Sequence, residues 1–213
     1  MRLIVVIATL MVAACGAPVM ADGSDAPATD ATAADTSSVT TIVSPPLVAA
    51  ARARVGVTLA YDPAYRGLDY PGGDVADDVG VCSDVLVRAA RAALDIDLQR
   101  ELHEDMRANF SDYPDTWGLS RPDRNIDHRR VPNLETWLAR QGAEIPASDD
   151  PRDYRPGDIV TFRLDGRLPH IGIVSDRRAR DGTPLLIHNV GAGTREEDAL
   201  FAYPLHRRFR WSP

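Results

Sequence analysis

At 213 residues, with 44% apolar residues and a formal charge of −7, the chain can bury one ordinary core and lacks the one-sided positive field that a nucleic-acid partner requires. Every basic side chain except histidine is arginine, and the short runs His128-Arg129-Arg130, Arg177-Arg178 and His206-Arg207-Arg208 read as solvated faces. Beyond residue 46, 23 basic and 27 acidic residues leave a net charge of −4, which again excludes an electrostatic footprint for nucleic acid.

The first segment, residues 1–21, carries Arg2 and then an apolar run from Leu3 to Ala14, the size of a signal-peptide core and too short for a mature membrane span. Val12-Ala13-Ala14-Cys15 has the form of a lipoprotein signal in which Cys15 receives lipid. Ordinary cleavage after Val19-Met20-Ala21 is the alternative. Either route predicts export to the periplasm or cell envelope, with membrane contact only through an N-terminal lipid. Residues 22–46 are rich in Ala, Thr, Ser, Asp and Pro, with few large apolar side chains and no aromatic one, and so read as a flexible tether. The folded domain is therefore residues 47–213, expected as a monomer.

Leu47, Val48, Ala51 and Val55 recur at helical spacing and predict a helix from Pro46 to Val55. Tyr61 to Val81 reads as a loop. Cys82, Val85, Leu86, Ala89, Ala90 and Ala93 then make one apolar stripe, a helix that begins at Cys82. Asp97 caps a further helix bearing Leu98, Leu102, Met106 and Phe110, and Asn133 caps a short one closed by Gly142. Strands follow at 159–164, 170–174, 185–190 and 200–211, the last interrupted at Pro204, with Asp165-Gly166 and Asp181-Gly182 as turns. Helices followed by a strand meander give an α+β class, N-terminal helices packed on a C-terminal antiparallel sheet.

Once Cys15 is lipidated or removed, Cys82 is the lone thiol of the mature protein. A lone cysteine in an oxidising compartment is buried or employed. Its place where a loop becomes a helix favours employment, since the helix dipole and a nearby imidazole lower a thiol pKa, and the free N–H groups there can hold an oxyanion. His170 and His188 fall on adjacent predicted strands. His170 is read as the base and His188 as the third member, with Asn189 taking that place if the register slips by one residue. His103, Glu104, Asp105, Asp127 and His128 could in principle recruit zinc with His170, but no histidine pair has the i, i+4 spacing of a helical metal motif, so neither metal nor cofactor is expected.

The runs Tyr70 to Asp74, Gly80 to Val85, His103 to Met106, Trp117 to Leu119 with Arg121 to Asp123, Asn125 to Asn133, Pro156 to Val160 and His170 to Val174 resemble the bacterial DUF1287 family across nearly the whole domain. A wider resemblance runs to the papain-like NlpC/P60 superfamily of cell-wall peptidases, carried by Tyr70, Gly72-Gly73, Cys82, Pro156-Gly157-Asp158 and His170. It implies a cysteine peptidase or amidase, with Cys82, His170 and His188 catalytic, and with Ser83, Asp84, Tyr70 and Gly73 at oxyanion or substrate-binding positions. Val81, where those peptidases usually carry Asp, and Ser83-Asp84, where they carry Ser-Gly, leave the substrate open: a cell-wall peptide or another acyl or amide compound. A non-catalytic envelope-binding protein on the same fold, an acyltransferase, and a metal hydrolase are the rival expectations.

Overall fold

The four amphipathic segments become helices and the β-branched runs after them become a sheet, in a computed structural model that describes residues 44–213. The leader and Cys15 lie outside the described residues, as does nearly all of the tether. Helix α1 (Pro46–Arg52) ends earlier than its apolar spacing predicts. Helix α2 (Cys82–Leu94) starts at the predicted residue. Asp97 caps α3 (Leu98–Ala108) by accepting from the Gln99 N–H at 3.2 Å. Helix α4 (Val131–Arg140) begins two residues before Asn133, so the predicted cap lies inside the first turn, where its Nδ2 donates to the Asp127 carbonyl instead. Gly142 follows α4 at φ +71°, the left-handed position that glycine adopts without a Cβ penalty.

A parallel pair, β1 (Ala60–Tyr61) and β2 (Val79–Gly80), sits just ahead of α2. The main sheet comprises β3 (Glu144–Ile145), β4 (Ile159–Leu164), β5 (Leu168–Arg178), β6 (Pro184–Asn189), β7 (Thr194–Glu197) and β8 (Leu205–Phe209), with antiparallel pairings in the order β3-β8-β4-β5-β6-β7. The predicted strand over 200–211 shrinks to β8. Strand β7, all polar or charged, was not expected from the sequence at all.

Alternation divides the sheet into two buried faces. Ile159, Ile171, Ile173, Ile187 and Phe209 pack with the helices, including Cys82, Val85 and Leu86 of α2. Val160, Phe162, Val174 and Leu186 form the second face under Tyr154, Ala199 and Leu200. Gly172 lies on this second face, where a Cβ would come within 2.9 Å of the Leu186 side chain. Among the described residues no helix is long and apolar enough to cross a membrane.

Candidate active site

Cys82 occupies the first turn of α2 because Val81 before it is extended and cannot belong to the helix. That start is fixed from three directions. The Asp84 carboxylate accepts from the Val81 N–H at 2.7 Å and pairs with the Arg129 guanidinium through bonds of 3.0 and 2.9 Å. The Ser83 hydroxyl donates to the Arg129 carbonyl at 2.7 Å. Asn189 Nδ2 donates to the Gly80 carbonyl at 3.1 Å, tying the chain just ahead of the cysteine to the end of β6.

Cys82 is 4% exposed and borders a cleft of about 200 Å3 lined by Tyr61, Trp117, Ile126, Arg129 and Pro169 among others. Burial pushes the thiol pKa up to about 11, and the Asp84 charge adds to it, while the nearby Ile171 and Ser83 N–H groups and the Tyr61 hydroxyl pull it down. The depressed thiol expected at a helix start is therefore not found in the resting site: loss of solvent outweighs the helix dipole.

His170 pairs with Phe162 across the β4–β5 ladder, and its ring packs against Phe162 and Tyr203, with centroids 6.0 and 6.4 Å apart. Its ring thus lies on the face away from the helices, while Cys82 belongs to the helix side. What connects the two residues is the main chain: the Ile171 N–H, in the peptide that follows His170, is near enough to the sulfur to lower its pKa. The described β5–β6 register begins at Ile173 opposite Ile187, so this N–H lies where the two strands have parted.

His170 Nε2 is 2.9 Å from His188 Nδ1, and His188 Nε2 is 2.9 Å from Glu197 Oε1. The protons along this row follow from the carboxylate. Glu197 accepts, so His188 carries its proton on Nε2; His188 Nδ1 then accepts from His170 Nε2–H; His170 is left with its lone pair on Nδ1. Burial, with His188 beside it, holds the His170 pKa down to about 3, and burial also lowers that of His188 against the pull of Glu197. Both rings are neutral near pH 7. Among the described residues, no hydrogen bond joins the sulfur to either ring.

The structure pairs His170 with His188 on one face of the sheet and places Cys82 and Asn189 on the other, the helix side, where Asn189 holds the backbone of β2. Ser83 and Asp84 are buried and act on the frame of the helix start. Tyr70 and Gly73 stand elsewhere: the Tyr70 ring lies 5.2 Å from that of His103, and the Gly73 N–H donates to Gln99 Oε1 at 2.9 Å. The tyrosine at the thiol is Tyr61. Tyr61 and Glu197 escaped sequence reasoning because β1 is two residues long and β7 has no apolar alternation. The glycines at 191 and 193, which turn the chain after β6, were the available hint of a returning strand. Asp105 and Asp127, weighed as metal ligands, are engaged by Arg140, Tyr113 and Asn109 and by Arg130 and the Asp123 N–H respectively.

Residues 48–211 match the family model described as "Domain of unknown function (DUF1287)". The chain is also 58% identical over 161 residues to "Uncharacterized protein YijF" of Escherichia coli (strain K12), a match that covers 76% of this chain and 78% of that protein.

Proposed function

The chain belongs to the DUF1287 family, and we propose that it is an exported cysteine hydrolase that cleaves an amide bond in peptidoglycan or another envelope compound. The observation that carries this reading is the row Glu197–His188–His170, which leaves an unprotonated ring nitrogen on the residue just before Ile171, whose N–H lowers the pKa of the only cysteine among the described residues. The same disposition, a thiol at a helix start and imidazoles on the sheet, is what the papain-like NlpC/P60 resemblance implies.

In the resting site the thiol and the imidazole are both neutral, so the proton moves as substrate arrives. The resting structure holds the His170 ring and the sulfur on opposite sides of β5, so the reaction requires the two to come within hydrogen-bond reach; Sγ–H then gives its proton to His170 Nδ1 while sulfur bonds to the scissile carbonyl carbon. His188 and Glu197 stabilise the imidazolium that forms, and it in turn offsets part of the cost of a buried thiolate. The main-chain N–H groups that open α2 face the carbonyl oxygen as it gains charge. Collapse expels the amine, which takes the proton from Nδ1 and leaves a thioester on Cys82. Water then gives a proton to Nδ1 and attacks the thioester, and the released thiolate recovers that proton. An acceptor amine or alcohol in place of water makes the same site a transferase.

The raised thiol pKa and the burial of Cys82 favour a second reading, a non-catalytic envelope-binding protein. Incubation with cell-wall fragments and with simple acyl esters, followed by mass spectrometry, separates the two. A hydrolase gives cleaved product and an acyl adduct on Cys82, and both vanish in Cys82→Ala and His170→Gln. Full cleavage by Cys82→Ala, or no cleavage of any fragment, removes the thiol mechanism.

A further inference from the structure

A depression of about 810 Å3 lies beside the thiol cleft and is lined by Tyr65, His103, Arg107, Arg121, Asp123 and Arg124, among others. Its charge runs against that of the chain, which is −7 overall. Arg107, Arg121 and Arg124 make no side-chain hydrogen bond or ion pair among the described residues, whereas arginines such as Arg52, Arg88, Arg129, Arg163 and Arg210 are each neutralised by a carboxylate. The single carboxylate in the lining, Asp123, already accepts from the Tyr65 hydroxyl at 3.1 Å and from the Asn125 N–H at 2.9 Å. His103 adds a buried Nδ1 with no partner.

Of these cations, Arg124 is held in place. The carbonyl of Arg124 accepts from Gln99 Nε2 at 3.0 Å, its guanidinium lies 5.6 Å from the Tyr70 ring, and Asn125 bridges the Leu68 N–H and the Tyr65 hydroxyl at 2.9 Å each. Three like charges gathered on this loop and the adjoining end of α3, with one carboxylate among them and no ion pair among the described residues, are unfavourable until an anion arrives, and the planar guanidinium fork suits the paired oxygens of a carboxylate or a phosphate. The depression and the thiol cleft share their rim: Tyr65 lines one and Pro63 the other, Leu119 one and Trp117 the other, Asn125 one and Ile126 the other.

We propose that this depression is an oxyanion subsite that binds a carboxylate- or phosphate-bearing part of the compound cut at Cys82. The substrate role rests on the hydrolase reading; the binding of the anion does not.

Titration calorimetry at low salt, with inorganic pyrophosphate and with glutarate as separate probes, tests it. Wild type and Cys82→Ala are expected to bind at least one probe equally well. The double variant Arg121→Gln/Arg124→Gln should bind about tenfold more weakly, as should Arg107→Gln to a smaller degree, while Arg180→Gln, an exposed arginine outside the depression, leaves binding unchanged. Pyrophosphate binding alone assigns a phosphate-bearing substrate, and glutarate binding alone a carboxylate-bearing one. No binding of either probe, or equal loss in Arg180→Gln, overturns the subsite. Normal binding by a protein that cleaves no amide keeps the subsite and removes the hydrolase.

Discussion

Glu197 sets the protonation of two imidazoles although it touches only one of them. Its carboxylate fixes the proton on His188 Nε2 and, through the 2.9 Å contact between the rings, leaves His170 Nδ1 free to accept. Glu197→Gln keeps the shape but offers an amide whose N–H can reverse the row and place a proton on His170 Nδ1. For amide cleavage we expect kcat to fall by about 10- to 100-fold with KM little changed. Because Glu197 raises the His188 pKa, its loss moves the acid limb of kcat/KM to lower pH, a shift that a purely structural role would not give. An unchanged limb with an unchanged kcat refutes the assignment. At the thiol the expectation is also directional. With its pKa raised to about 11, Cys82 should react with iodoacetamide at a rate that still climbs above pH 9, and Tyr61→Phe, which removes a donor to the sulfur, should slow the reaction at any fixed pH. A plateau below pH 8 contradicts the burial argument.

The helix that presents Cys82 depends on a charge pair more than on its own cap. Asp84 and Arg129 are 5% and 2% exposed at their side chains, and the pair links the first turn of α2 to the short 3-10 helix Asp127–Arg129. Asp84→Ala strands a buried guanidinium and should cost about 3–5 kcal/mol in chemical denaturation. Asp84→Ala/Arg129→Met should recover much of that, and a double variant no better than the single one would place the loss elsewhere.

This clamp was invisible in the sequence, because residues 45 positions apart show no periodicity between them. What was legible follows the strength of the pattern. The stripe from Cys82 to Ala93 gave α2 its first residue, Asp97 gave α3 its cap, and Asp165-Gly166, both at positive φ, gave the β4–β5 turn. Strict alternation in β5 also separated His170 from Ile171 correctly. It could not say which face carries the helices, nor whether His188 or Asn189 shares the side of His170; only the β5–β6 register, with Val174 opposite Leu186, decides that. Where the pattern is polar, as in β7, or two residues long, as in β1, nothing marked an element, and Glu197 and Tyr61 went unseen.

Taken as one unit, the domain buries more histidine than it can protonate without cost, and this sets how it meets acid. Burial lowers the pKa of His128 to about 4 and of His170 to about 3, and lowers that of His188 as well. An unfolded chain takes up these protons near pH 6.5 and the folded one does not, so the stabilisation is complete above pH 6.5 and is lost as pH falls toward 4 and 3. Each such histidine removes about 1.4 kcal/mol per pH unit below 6.5. The carboxylates held low, such as Glu196, Asp176 and Asp105, act in the same direction but only near the ordinary carboxylate range. Between pH 6.5 and 5 the histidines therefore dominate, and the urea midpoint should drop steadily across that interval. His128 isolates the effect, because its buried Nδ1 has no hydrogen-bond partner to lose and the residue lies outside the Glu197 row. Since burial holds His103 low as well, in His128→Phe the slope of stability against pH should fall by about a quarter, while the pH dependence of amide cleavage stays as in the wild type. An unaltered slope would mean that His128 is protonated in the folded chain, and that burial alone does not govern its charge.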